Sequence, residues 1–76
     1  ASFHDAFWML TVATAAEQDL PPGDAAGRQH VENIRNLFRA YDTEFRKPRI
    51  DLDRARRVRR LMEQECDDLQ ALTKKS

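Results

Sequence analysis

The stretch VENIRNLFRAYDTEF, Val31 to Phe45, decides the fold that the sequence predicts. Its apolar residues recur at spacings of three and four, and charged residues fill the positions between them. On a helix these apolar residues share one face: Val31, Ile34, Leu37, Phe38, Tyr41 and Phe45. The pattern predicts an amphipathic helix over about residues 28–46. Pro48 follows closely, and the residue before a proline is disfavoured in the α conformation, so the helix should end there.

A second amphipathic pattern lies between about residues 51 and 73. Its apolar residues are again three and four apart: Ala55, Val58, Met62, Cys66 and Leu69. Asp51 or Asp53 is a candidate N-cap, because a short acidic side chain can accept from the free N–H groups of a first helical turn. The connection to the preceding helix is short. The sequence therefore predicts an antiparallel helical hairpin whose two apolar stripes face each other.

The first part of the chain differs from both. AFWMLTVATAA, Ala6 to Ala16, contains no charged residue and predicts a helix over about residues 3–18 that is apolar on all sides. Its eleven residues would rise about 16 Å, too little to cross a bilayer. One hairpin can cover only one face of such a helix, so a partner protein or a second copy should cover the rest. The candidate partner-binding residues are Phe3, Phe7, Trp8, Met9, Leu10 and Val12.

The predicted fold is therefore all-α. A short apolar helix and a loop at residues 19–27 precede the antiparallel hairpin, and a partner or second copy completes the domain. No segment alternates with the period of a β-strand. The 76 residues form one small domain, and a domain of this size buries only about 60% of the surface that its unfolded chain exposes. This shortage of burial adds to the case for assembly with another chain.

The charge distribution raises a second possible site. The net charge is zero, but residues 1–45 sum to −4, residues 46–60 to +6 and residues 61–76 to −2. RARRVRR, within the basic block, supplies candidates for binding an anion or an acidic partner: Arg54, Arg56, Arg57, Arg59 and Arg60. These arginines could instead form a solvated face with internal ion pairs, such as Arg59 with Glu63. Contact with nucleic acid or with lipid head groups is a less favoured alternative. The zero net charge and the acidic neighbours favour a protein surface over a polyanion.

Catalysis and metal binding have little support in the sequence. His4, His30 and Cys66 are scattered, without the spacing of a zinc site, and no glycine-rich phosphate loop occurs. We expect no cofactor and no metal. Cys66 lies on an apolar stripe, where a free cysteine usually behaves as a small hydrophobic residue. With a single cysteine and no internal disulfide, the chain fits a reducing intracellular or organellar interior better than a secreted setting.

The sequence thus favours a non-enzymatic helical protein–protein interaction module. It would serve as a small accessory or structural subunit of a larger complex, or as a homo-oligomer. The alternative is a nucleic-acid-binding helical protein that acts through the arginines of residues 54–60.

Overall fold

A computed structural model describes residues 3–74, with side chains for residues 5–72. It contains three helices: α1 at Phe3–Asp19, α2 at Ala25–Phe45 and α3 at Leu52–Lys74. No strand occurs in this range, so the prediction of an all-α fold is confirmed. Each helix contacts the other two, in a body of 43 × 17 × 16 Å.

The connection between α1 and α2 is shorter than expected, because α2 begins at Ala25 and not near residue 28. Asp24 caps it, with its Oδ1 accepting from the backbone N of Gly27 at 2.8 Å. Gly27 is buried beneath the end of α1, and a Cβ at this position would lie 2.7 Å from Leu20 Cδ2. The absence of a side chain at Gly27 therefore lets Leu20 pack on the first turn of α2.

The second connection follows the sequence prediction closely. After α2 ends at Phe45, the backbone N–H groups of Arg46 and Lys47 donate to the carbonyls of Thr43 and Glu44 at 3.2 and 3.3 Å. Of the two N-cap candidates for α3, Asp51 takes the role: its Oδ1 accepts from the N of Arg54 at 3.1 Å. Asp53 lies inside the first turn of the helix.

The core forms where the three helices meet. Its buried apolar residues are Ala6, Ala13, Leu20, Val31, Ile34, Tyr41, Ala55, Met62, Cys66 and Leu69. The centres of the two predicted stripes are therefore buried as expected. Their edges are only partly buried, and this group contains Leu37, Phe38, Phe45 and Val58.

Polar contacts also join neighbouring helices. Arg35 of α2 donates to both carboxylate oxygens of Glu17 of α1. The side of α2 that carries Arg35 therefore faces α1. Near one end of the α2–α3 pair, His30 Nδ1 lies 2.6 Å from Glu65 Oε2. Near the other end, Arg54 Nε lies 3.6 Å from Glu44 Oε1.

Candidate interaction surface on α1 and α3

One side of α1 is covered by the other two helices. Ala6 and Ala13 are fully buried, and Met9 and Leu10 pack against the core while remaining partly accessible. Val12 is also partly accessible. These three larger residues were all predicted to bind a partner. The chain's own helices cover part of each side chain, so less of their surface is accessible to a partner than the sequence suggested. The side chain of Phe3, another predicted contact, lies outside the described residues.

Among the described side chains of α1, Phe7 and Trp8 are the two large apolar ones that are exposed. Phe7 is 55% accessible and Trp8 is 67% accessible. The ring of Phe7 meets the ring of Phe38 on α2 edge-on, with 6.2 Å between the centroids. Trp8 instead lines a groove that α1 forms with α3. The two aromatic residues thus lie beside different helices.

Trp8 belongs to a shallow groove between α1 and α3. The α1 wall of this groove is apolar, and the α3 wall includes acidic and polar side chains. The groove is lined by Trp8, Met9, Val12, Glu63, Cys66, Asp67 and Gln70. An exposed indole beside two carboxylates is suited to a partner that presents both apolar and basic groups.

The arginines of the basic stretch have two different environments. Arg54 pairs with Glu44, and Arg59, only 24% accessible, pairs with Glu63 at 2.8 Å. The Arg59–Glu63 pair is the i, i+4 pair that the sequence predicted. Arg56, Arg57 and Arg60 are exposed, and none has a carboxylate partner among the described side chains. The stretch therefore contains two arginines that pair with carboxylates of the chain and three that do not.

These last three arginines border two shallow depressions on α3. Arg56, Arg59, Arg60 and Glu63 line the first. Arg57, Arg60, Leu61 and Gln64 line the second, where Leu61 is 52% accessible. Glu63 also lines the groove beside Trp8, so the first depression and that groove are adjacent. The basic and acidic parts of α3 thus share one surface with the exposed tryptophan.

The sequence did not predict the polar contacts of His30 and Glu44. The His30–Glu65 contact joins residues 35 positions apart, and no local spacing reveals such a pair. Glu44 is 2% accessible, with Lys47 Nζ 3.3 Å from its Oε2 and Arg54 Nε 3.6 Å from its Oε1. Helical spacing could have placed Glu44 in the interior, because it follows Tyr41 by three positions on the apolar face.

Cys66 is unsuited to nucleophilic chemistry. It is buried, and its sulfur lies 3.9 Å from the backbone carbonyl oxygen of Met9. Burial, followed by the nearby charges of Asp67, Glu65 and Glu63, raises the pKa of the Cys66 thiol to about 11. The reactive thiolate is therefore scarce near neutral pH.

Within residues 3–74, none of the helices has the length and apolar character needed to cross a membrane. The described side chains also bring together no group of three histidine, cysteine or acidic residues that could hold a metal ion.

Comparison of the chain with protein families, with characterised proteins and with solved structures found no match. Its function must therefore be inferred from the geometry of the residues themselves.

Proposed function

We propose that this chain is a non-enzymatic helical interaction module, acting as a small accessory or structural subunit of a larger complex or as a homo-oligomer. The observation that carries the proposal is the exposure of Phe7 and Trp8 on α1, a helix whose other face is buried in the chain's own core. Aromatic side chains bury about 150–250 Å² each and are enriched among the residues that dominate binding energy. Covering them with a partner would remove this apolar surface from water.

We interpret α2 and α3 as an antiparallel hairpin that serves as the scaffold of this module. The contact of His30 with Glu65 and the contact of Glu44 with Arg54 support this arrangement, because an early residue of each helix meets a late residue of the other. In this arrangement α1 lies against the hairpin and presents Trp8 beside the acidic part of α3. A partner would therefore meet a rigid helical surface and not a loop.

A cross-linking experiment tests the proposal. A photoreactive phenylalanine analogue replaces Trp8 in one version of the chain and the exposed Ala26 in a control, and both are illuminated in the cells that produce them. We expect efficient cross-linking at position 8, either to another protein or to a second copy, and little at position 26. Equal or negligible cross-linking at the two positions would contradict the proposal.

Binding of nucleic acid is the second candidate function. Arg56, Arg57 and Arg60 favour it, because arginine side chains without internal partners can contact phosphates. Glu63, Asp67 and Asp68 oppose it, since they follow on the same helix and would repel a polyanion.

A salt titration separates the two functions. It compares the wild-type chain with a variant in which Arg56, Arg57 and Arg60 are glutamine. Weak duplex binding that vanishes near physiological salt is the expected result. Tight binding that is lost in the variant would instead favour nucleic acid. In that case the logarithm of the binding constant should fall with the logarithm of salt by about 0.9 per phosphate contacted in B-DNA.

A further inference from the structure

Four charged residues form one stripe along α3. Arg56, Arg60, Glu63 and Asp67 follow one another at spacings of four, three and four, which places them on the same side of a helix. The stripe reads basic, basic, acidic, acidic from the N-terminal to the C-terminal end. Arg56, Arg60 and Asp67 are exposed, and Glu63 is partly occupied by Arg59.

This order of charges makes the stripe complementary to an antiparallel copy of itself, because each basic residue then faces an acidic one. If a second α3 lies antiparallel across the stripe, with the two-fold axis between Arg60 and Glu63, Arg56 of each copy faces Asp67 of the other. Arg60 of each copy then faces Glu63 of the other. Both sets of contacts occur twice, as they must in a symmetric dimer. A parallel α3 would instead put like charges together.

Trp8 fits the same arrangement. It lines the groove that contains Glu63 and Asp67, so it lies at the acidic end of the stripe. The antiparallel partner brings Arg56 to this end, where its guanidinium can lie over the exposed indole. Such cation–π contacts are attractive, and arginine forms them more often than lysine does. The dimer would therefore cover the exposed tryptophan and two of the three unpaired arginines together.

From this layout we infer that the partner of the proposed interaction surface is a second copy of the chain, bound antiparallel through the α3 stripe and Trp8. The inference rests on the proposed function and specifies its partner. The charge order explains the choice of partner: a surface that is both basic and acidic, in reverse-complementary order, matches itself without any further protein.

Charge reversal tests the pairing of Arg56 with Asp67. We expect the wild-type chain to sediment as a dimer at micromolar concentration. Arg56→Glu and Asp67→Arg, each alone, should raise the dimer dissociation constant about tenfold or more. In the dimer of either variant, like charges face each other at both places where residue 56 meets residue 67. An equimolar mixture of the two variants should recover most of the wild-type affinity, because opposite charges then meet at both positions while one of the two Arg56–Trp8 contacts is lost.

Two controls accompany the mixture. Arg28→Glu reverses an exposed arginine at the start of α2, outside the stripe, and should leave the dissociation constant unchanged. Trp8→Ala should weaken the dimer without a change in charge. Circular dichroism of every variant should match that of the wild type, since the altered side chains are exposed.

Several results would overturn the inference. If the wild-type chain stays monomeric at millimolar concentration, a second copy is excluded as the partner. This holds whether or not the chain binds nucleic acid. Single variants that dimerise normally, or a mixture that fails to recover, exclude this arrangement. If position 8 still cross-links to a different protein, the interaction module stands and only the identity of its partner is wrong. If position 8 cross-links to nothing, both proposals fail.

Discussion

Arg35 of α2 and Glu17 of α1 form a two-pronged contact between these two helices. The Nη1 and Nη2 groups of Arg35 donate to the two carboxylate oxygens of Glu17 at 3.2 and 3.1 Å. This hydrogen bonding raises the pKa of the arginine above its ordinary value. Both side chains are about one-third accessible, so water and salt weaken the pair without abolishing it.

A double-mutant cycle should measure this contact directly. Arg35→Ala and Glu17→Ala, alone and together, should give a coupling free energy of about 0.5–1 kcal/mol in urea unfolding at low salt. The coupling should shrink in 1 M NaCl because the pair is partly exposed. Arg28→Ala, at an exposed position without an ion pair among the described residues, provides the comparison. A coupling free energy near zero at low salt would mean that the Arg35–Glu17 contact contributes nothing to holding α1 against α2.

Phe38 and Ile34 share the apolar face of α2 but differ in burial. Ile34 is fully buried, whereas Phe38 is only partly buried at the edge of the core, next to Phe7. Ile34→Ala should lower the free energy of unfolding by about 3 kcal/mol, within the range for buried aliphatic residues. Phe38→Ala should cost about half as much, despite the larger side chain that it removes. Thermal or urea unfolding of both variants checks the order, and a greater loss for Phe38 would show that its ring belongs to the core.

The sequence predicted the type and number of the helices because helical periodicity is a local property. The spacing of Val31, Ile34 and Tyr41 marks the buried face of α2, and Lys47-Pro48 marks its end. The earlier start of α2 was missed for a local reason too. Asp24 is a good N-cap residue, but PPGDAAG also contains the two glycines and two prolines that usually indicate a loop.

The contacts between helices were harder to predict. Which flank of α2 receives α1 decides whether Arg35 faces solvent or Glu17, and periodicity within one helix carries no information about its neighbour. The same limit applies to the arginines: the i, i+4 rule found Arg59 with Glu63 but not Arg54 with Glu44, which belong to different helices. The exposed Phe7 and Trp8 were expected, since α1 has more apolar residues than one face can hold.

Glu44 is a buried carboxylate whose contribution to stability should be small or negative. Its Oε1 is buried without a hydrogen-bond partner, 3.6 Å from Arg54 Nε. Removing a carboxylate from water is costly, and apolar residues of similar volume often replace buried ion pairs without loss. Glu44→Met should therefore leave the free energy of unfolding unchanged or raise it by about 1 kcal/mol.

Removing the cation instead should destabilise the chain. Arg54→Ala should cost about 1 kcal/mol, because it leaves Glu44 buried with Lys47 as its remaining ion pair. Urea unfolding of the two variants provides the measurement, and Arg57→Ala, which alters an exposed arginine, provides the control. A large loss of stability in Glu44→Met would mean that the ion pairs of the carboxylate stabilise the chain by more than its burial costs.

The burial of Cys66 predicts a loss of stability at alkaline pH. The pKa of the thiol is about 11 in the folded chain, against an ordinary value of 9.0. Below pH 9 the thiol is protonated in both the folded and unfolded states, and its full stabilising contribution is present. As the pH rises from 9 to 11, the unfolded state releases its proton first, so the free energy of unfolding falls by about 2 kcal/mol.

A Cys66→Ala variant isolates this effect. The variant should be less stable than the wild type at pH 8, because it loses packing in the core. Between pH 9 and pH 11 its free energy of unfolding should fall less steeply, so that the two stability curves converge. All other titrating groups are shared by the two chains, and the difference in slope therefore reports on the thiol alone. Urea unfolding at several pH values under reducing conditions gives both curves; parallel curves would place the thiol in contact with water, where its pKa would keep the ordinary value.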